Sequence, residues 1–173
     1  MGQDKARLMI DGVSLVGRVA TAIRDAGLRP VVIRRVREEQ PFFDAYGDVV
    51  PRLYESAEGA THPLCGVITA LRHARSDVLV IPCDVPNVCA GDIMRLRQGI
   101  APSVGFDGQR MHPLFAHVPF HWLDHTERAV GLGQSATQWA KGAAQVHLSE
   151  AATFNVNDPD DAATVGATEP SSR

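Results

Sequence analysis

Apolar positions along this chain follow two different patterns. From Leu15 through Val19, Ala22, Ile23 and Ala26 they recur at helical spacing, which predicts a helix capped by Ser14 and closed by Gly27. Pro30 to Ile33 and Val78 to Ile81 are instead continuous apolar runs. Such runs predict strands buried on both faces, as in a parallel sheet. Leu8 to Ile10 is a short extended piece turned at Asp11-Gly12. A helix from about Arg37 to Ala45, a short strand at Asp48 to Val50 and an aperiodic loop over 51–61 are expected next. Pro63 suits the first position of a helix reaching about Ala74, with Thr61 or His62 as its cap. After the strand that leads to Asp84, Asp92 to Arg97 reads as helix. Ser103 to Phe106 and Met111 to Val118 read as strands joined at Asp107-Gly108. Helices at Pro119 to Arg128 and Ser135 to Lys141, a strand at Ala144 to Leu148 and a helix at Asp158 to Val165 follow. Gly166 to Arg173 reads as a disordered tail. The alternation predicts an α/β fold over residues 1–165, a three-layer α/β/α sandwich on a Rossmann-like, mostly parallel sheet.

Composition narrows the function without naming it. A chain of 173 residues suits one domain. A net charge of −3 gives no support for a nucleic-acid or membrane-surface partner. No apolar stretch approaches membrane-span length, and the N-terminus lacks a signal-peptide pattern. The cysteines, Cys65, Cys83 and Cys89, have no C-x-x-C spacing. That argues against a disulfide framework and suits a reducing cytoplasm.

Candidate chemistry gathers at a few places. Asp84 follows an apolar strand and stands between Pro82 and Pro86. Ligands of open α/β sheets bind beyond the carboxyl ends of strands. A carboxylate there either holds Mg2+ against substrate phosphates or caps the next helix, and the pattern leaves both open. Gly66 in the first turn of a helix points to a close approach, since Gly weakens a helix by about 1 kcal/mol against Ala. Asn155 and Asn157 point the same way on an extended chain. Asp158, Pro159 and the two following acids make an equally good helix start. His117, His121 and His125 are spaced four apart, but Pro119 takes His117 off any shared helical face. Exposed histidines beside Trp122 are the plainer account. Gly131-Leu132-Gly133 and Gly12 to Gly17 do not complete a dinucleotide or P-loop fingerprint.

Five segments, taken in order, resemble the molybdenum cofactor guanylyltransferase (MobA) family. Met1-Gly2-Gln3-Asp4-Lys5-Ala6 is similar to the end of its glycine-rich signature, R-M-G-x-D-K-A. His62-Pro63-Leu64-Cys65-Gly66-Val67 resembles G-P-L-x-G-[IVM], with His62 in place of the first glycine. Pro82-Cys83-Asp84-Val85-Pro86 resembles the metal motif C-D-x-P. His112-Pro113-Leu114-Phe115-Ala116 is similar to H-P-[LT]-x-A, and Asn155-Val156-Asn157-Asp158-Pro159 to N-[VI]-N-[TD]-P. The resemblance implies a Mg2+-dependent nucleotidyl transfer, in which the terminal phosphate of molybdopterin attacks the α-phosphate of GTP. It assigns Lys5 and Asp84 as catalytic residues and Gly2, Lys5 and Asp84 to the nucleotide. It assigns Asp84 to the metal, and Asn155 and Asn157 to the molybdopterin substrate. Other proteins of molybdenum cofactor synthesis are further expected partners.

The chain departs from the family pattern at three places. The family has a strand and an L-A-G-G-x-S-x-R turn before the M-G-x-D-K piece, whereas this chain starts at Met1, inside the signature. A miscalled start or a truncated gene is the expected account. That strand would be central in the sheet. Without it, backbone near Val32 and Leu79 is expected to go unpaired, and the chain to fold poorly or bind nucleotide weakly. Val36 stands where the family often has Asn, and Arg52 where it has Asp. Both changes fall in the family's nucleotide pocket, so the cytidylyl branch and a non-catalytic relative stand as alternatives.

Overall fold

The structure, a computed structural model, describes residues 5–35, 40–55, 61–156 and 159–168. Strands β1 (Met9–Ile10) and β2 (Val13–Ser14) form a small antiparallel hairpin. Its turn takes φ 51° at Asp11 and 78° at Gly12, the left-handed pair that a two-residue hairpin turn requires. Helix α1 (Leu15–Asp25) follows, and the Ser14 side chain accepts from the Gly17 N–H. β3 (Val32–Arg34) pairs in parallel with β4 (Arg52–Tyr54), Val32 opposite Arg52. The main sheet has four strands in the order β5 (Val78–Val80), β7 (Met111–Val118), β6 (Ser103–Phe106), β8 (Ala144–His147). Strand β7 is antiparallel to both neighbours, and β8 is parallel to β6.

Two apolar layers enclose the main sheet. Val78 and Val80 turn to one, under α2 (Leu64–Ala74), α4 (Leu123–Gly131) and α5 (Ala136–Trp139). Leu79 and Ile81 turn to the other, with α1 and α3 (Ala90–Gln98). This strand alternation makes the three layers. Two short helices, α6 (Glu150–Thr153) and α7 (Pro159–Thr164), close the chain.

The α/β expectation stands, with corrections of detail. The sheet is mixed, because β7 runs against its neighbours. Among the described residues β5 is half-buried and pairs with β7 alone, in antiparallel. Of the helix expected at 37–45, residues 37–39 lie outside the described residues and residues 40–45 are irregular, leading into a turn at 45–46. The Asp44 carboxylate accepts from the N–H groups of Tyr46 and Asp48, each at 3.0 Å, and such local bonding competes with helix. The third strand falls at 52–54, inside the expected loop, and Asp48–Val50 contributes a single bridge, Phe43 to Val49. Helix α6 was not expected; its signal is Ser149, whose side chain accepts from the Ala152 N–H. Of the expected tail, Thr168 is bonded to Met9 in both directions, at 2.6 and 2.7 Å.

The β6–β7 hairpin matches its expected bounds, and Asp107 holds its turn. That carboxylate accepts from the N–H groups of Gln109 and Arg110 at 2.8 Å and lies 2.7 Å from His112 Nε2. The Arg110 N–H first, then His112 and the Gln109 N–H, hold it well below the usual carboxylate range. A depressed folded-state value means stability present above the unfolded value and lost as pH falls. Thermal melts of Asp107→Asn should therefore show a lower midpoint at neutral pH. Its decline on acidification below about pH 5 should be shallower than that of the parent chain.

Candidate active site

Three of the five expected site residues meet at one end of the main sheet. Asp84 lies in the turn that follows β5, beyond Ile81 and Pro82. Val85 is fully buried in the layer under α1 and α3 and anchors the turn. The Val156 N–H donates to the Asp84 carbonyl at 2.9 Å, which brings Asn155 alongside. Lys5 starts a short 3-10 turn, Lys5–Arg7, whose Ala6 is buried. Its charge reaches the Asp84 carboxylate. Gly2 and Asn157 lie outside the described residues.

Burial dominates the electrostatics of Asp84. Desolvation pushes its carboxyl above the usual range, opposed by a backbone hydrogen bond and by the Lys5 charge. A half-buried anion that the Lys5 charge only partly offsets is short of positive charge. Among the described residues, no group of three or more His, Cys, Asp or Glu side chains is placed to hold a metal. A single carboxylate does not make a cage. It fits Mg2+ shared with substrate phosphates, the usual mode for that ion.

The other motifs have structural duties. His62 stands at the start of α2: the Leu64 N–H donates to its Nδ1 at 3.2 Å, and its Nε2 lies 2.8 Å from the Gln134 carbonyl. The N-cap is Pro63, one residue later than expected, and His62 holds the first turn of α2 and ties it to the segment after α4. A Cβ on Gly66 would lie 3.3 Å from Glu55 Oε1 and 3.9 Å from Ile33, so the close approach read from this glycine is to β3 and to the residue that follows β4. Arg52 does not project a free cation toward a ligand. Its Nη1 donates to the Gln40 carbonyl at 3.0 Å, beside Arg7 at 2.9 Å. His125 sits over Trp122, ring centroids 4.7 Å apart, with Nε2 3.1 Å from the Trp139 carbonyl. Sequence reasoning missed Arg18, whose Nε donates to the Pro86 carbonyl at 3.3 Å and ties α1 to the Asp84 turn. No sequence signal marks that contact, which spans sixty-eight positions.

In a layered α/β unit, a carboxylate beyond the end of one strand stands where such folds bind their ligands. The comparisons specify the family. A model of the MobA-like NTP transferase domain matches residues 1–147, and the chain belongs to this family. A probable molybdenum cofactor guanylyltransferase of Opitutus terrae is 32% identical over 145 residues, covering 80% of this chain and 69% of that protein. The molybdenum cofactor guanylyltransferase of Rhizobium meliloti is 32% identical over 138 residues, covering 73% of this chain and 61% of its own length. The chain thus spans about two thirds of these curated relatives. Among solved structures, molybdopterin-guanine dinucleotide biosynthesis protein A of Archaeoglobus fulgidus superposes with a TM-score of 0.70 at 19% identity, covering 95% of this chain and 89% of that one. A cytidylyltransferase from Thermus thermophilus gives 0.64 at 18% identity, covering 95% and 92%. At such identities these two likenesses speak for the fold alone. Among the described residues, no helix is long and apolar enough to cross a membrane.

Proposed function

We propose that this chain is a cytoplasmic molybdenum cofactor guanylyltransferase, which transfers GMP from GTP to molybdopterin. The observation that carries the reading is the convergence of Lys5, Asp84 and Asn155 at one sheet end, in a family whose curated relatives bear that name. In the step, an oxygen of the molybdopterin phosphate bonds to the α-phosphorus of GTP. The α–β phosphoanhydride bond breaks, and pyrophosphate leaves with the electron pair. Positioning and charge neutralisation suffice, so no protein nucleophile is needed. Lys5 meets the triphosphate as a point charge. Asp84 would hold Mg2+, whose charge, once bound, offsets that of the phosphate oxygens. Asn155 orients the molybdopterin, with Gly2 and Asn157 assigned to the two substrates by the family resemblance alone.

The test is pyrophosphate release from Mg-GTP and from Mg-CTP, each with molybdopterin. Release with GTP alone is the expected result. Release with CTP alone would move the chain to the cytidylyl branch. Nucleotide binding without release in a folded protein would make it a non-catalytic relative.

A further inference from the structure

The ladder between β6 and β7 breaks beside His112. Val104 pairs with Ala116, but the next residue, Gly105, pairs with His112. Residues 113–115 are thus set against no partner on β6, and among them is Pro113, which has no N–H to give a ladder. Strict pairing would bring Phe115 to Gly105. The break brings the imidazole there instead, and re-aiming a side chain is what irregular ladders do beside active sites. Residues paired across a ladder share a face, so His112, Gly105 and Val146 lie together, on the side that packs against α1 and α3. A Cβ on Gly105 would stand 2.7 Å from a Leu148 methyl. Leu148 leads through α6 to Asn155 and to Val156, whose N–H bonds the Asp84 carbonyl. β5 and β6 both run against β7, so their carboxyl ends, leading to Asp84 and to Asp107, lie at one end of the sheet. The imidazole therefore shares a face and an end of the sheet with the candidate site.

The ring is held on one side only. Nε2 lies 2.7 Å from Asp107 Oδ2, and the two side chains are 11% and 9% exposed. A carboxylate only accepts, so Nε2 is the donor. That bond fixes the tautomer, and Nδ1 of the neutral ring carries the lone pair. Nδ1 has no hydrogen-bond partner among the described residues, yet it is not shut away as His117 Nδ1 is. The hairpin turn does not depend on the ring. Asp107 already takes the N–H groups of Gln109 and Arg110 and has Arg110 Nε at 3.5 Å. One nitrogen is thus spent on orientation and the other is left open at the site.

We propose that His112 receives the phosphate of the acceptor through Nδ1, with Asp107 as its positioning residue. The inference rests on the transfer to molybdopterin proposed above and names a residue for its acceptor half. Nδ1 and a phosphate oxygen share one proton: the phosphate O–H donates to the neutral ring, or the protonated ring donates to the fully ionised phosphate. Either way one bond aims that phosphate at the GTP α-phosphorus. Where the phosphate arrives with its proton, the proton passes to Nδ1, and the freed oxygen keeps the electron pair with which it attacks. The ring returns the proton to solvent once the product has left. Asp107 touches no substrate and acts by holding the ring plane and the tautomer.

The test joins a direct reading of the ring to two variants. Nitrogen NMR of the labelled imidazoles, with molybdopterin added anaerobically to the full chain, should move the Nδ1 signal of His112 and leave Nε2 a donor to Asp107. His112→Gln keeps an amide N–H for Asp107 and offers nothing at the Nδ1 position. Its melting midpoint should hold, while kcat/KM for molybdopterin falls about 10- to 150-fold, the range for one hydrogen bond to a charged group, and KM for GTP stays. His112→Asn offers an amide at the Nδ1 position and gives up the tie to Asp107. It should melt earlier and yet retain more activity than His112→Gln. A ring that only stapled the hairpin would not give that reversed order. An unmoved Nδ1 signal, or activity that follows the melting midpoint across the variants, would overturn the proposal. A moved Nδ1 in a chain that releases no pyrophosphate would support the contact and sink the transfer. Release indifferent to His112→Gln would do the reverse.

Discussion

Asp84→Asn should abolish pyrophosphate release and at the same time raise the melting temperature of the ligand-free protein. The two effects share one cause. Burial raises the Asp84 carboxyl above its usual range, and the Lys5 charge only partly offsets this. A raised folded-state value means that the folded chain holds this proton more tightly than the unfolded chain does. Stability from this group then falls as pH rises from the ordinary carboxylate value through the folded one. Above the unfolded value this carboxyl is a standing cost to the fold, and a neutral side chain of the same shape removes it. The midpoint of Asp84→Asn should therefore exceed that of the parent chain at pH 7, and the gap should close toward pH 4, roughly the intrinsic value of aspartate. The catalytic loss follows from the same charge. A group that stabilises charge developing at a transferring phosphoryl is commonly worth about 100- to 1,000-fold in rate. A loss of at least about 100-fold, with the midpoint unchanged or higher, is the expected pair of results. Activity retained within a fewfold would remove Asp84 from the chemistry. Activity lost together with a lower midpoint would make its role structural.

What the sequence displays, and what it conceals, follows from the range of each interaction. Signals carried by neighbours in the chain are legible. Ser14 before an apolar helical stripe, Gly27 after it and Asp107-Gly108 between two alternating runs locate α1 and the β6–β7 hairpin. The end of an apolar strand followed by Asp84 marks the candidate site, because the chain itself carries the carboxylate out of the sheet. Partners far apart in sequence are not legible. Whether the turn at 42–48 is helix or loop is decided by Asp44, which bonds locally and also pairs with Arg24 at 2.5 Å. β4 forms because Val32 and Leu53 belong to adjacent parallel strands, a pairing no window of sequence contains. Arg52 reads as a reversed charge in a nucleotide pocket until the Gln40 carbonyl is seen beside it.

The largest purely structural effect is expected at Gly17, on the first turn of α1. A Cβ there would stand 2.3 Å from the Phe43 carbonyl oxygen, with Ser14 Oγ at 3.0 Å and a Val13 methyl at 3.1 Å. The carbonyl cannot readily retreat. The loop that bears it is held by Ala45 N–H donating to Thr21 Oγ1 at 2.8 Å, and Thr21 Oγ1 in turn donates to the Gly17 carbonyl at 2.8 Å. Arg24 pairs with the buried Asp44 in the same loop. Gly17→Ala must therefore displace backbone or break these bonds. Overpacking costs about 1–3 kcal/mol, and a buried polar group left unpaired about 1–3 kcal/mol more. The helix preference of Ala over Gly returns only about 1 kcal/mol. A net loss of about 1–5 kcal/mol corresponds to a melting temperature lower by about 2–20 °C in a chain of this size. Gly131→Ala is the control, since nothing lies within 4 Å of a Cβ at that position, and its midpoint should hold or rise slightly. One step along α1, Arg18 holds the Pro86 carbonyl, so a displaced α1 also pulls on the Asp84 turn. A Gly17→Ala protein that melts early should consequently also show a raised KM at temperatures where it is still folded. If the midpoint falls while KM stays constant, the Arg18–Pro86 contact does not transmit the strain.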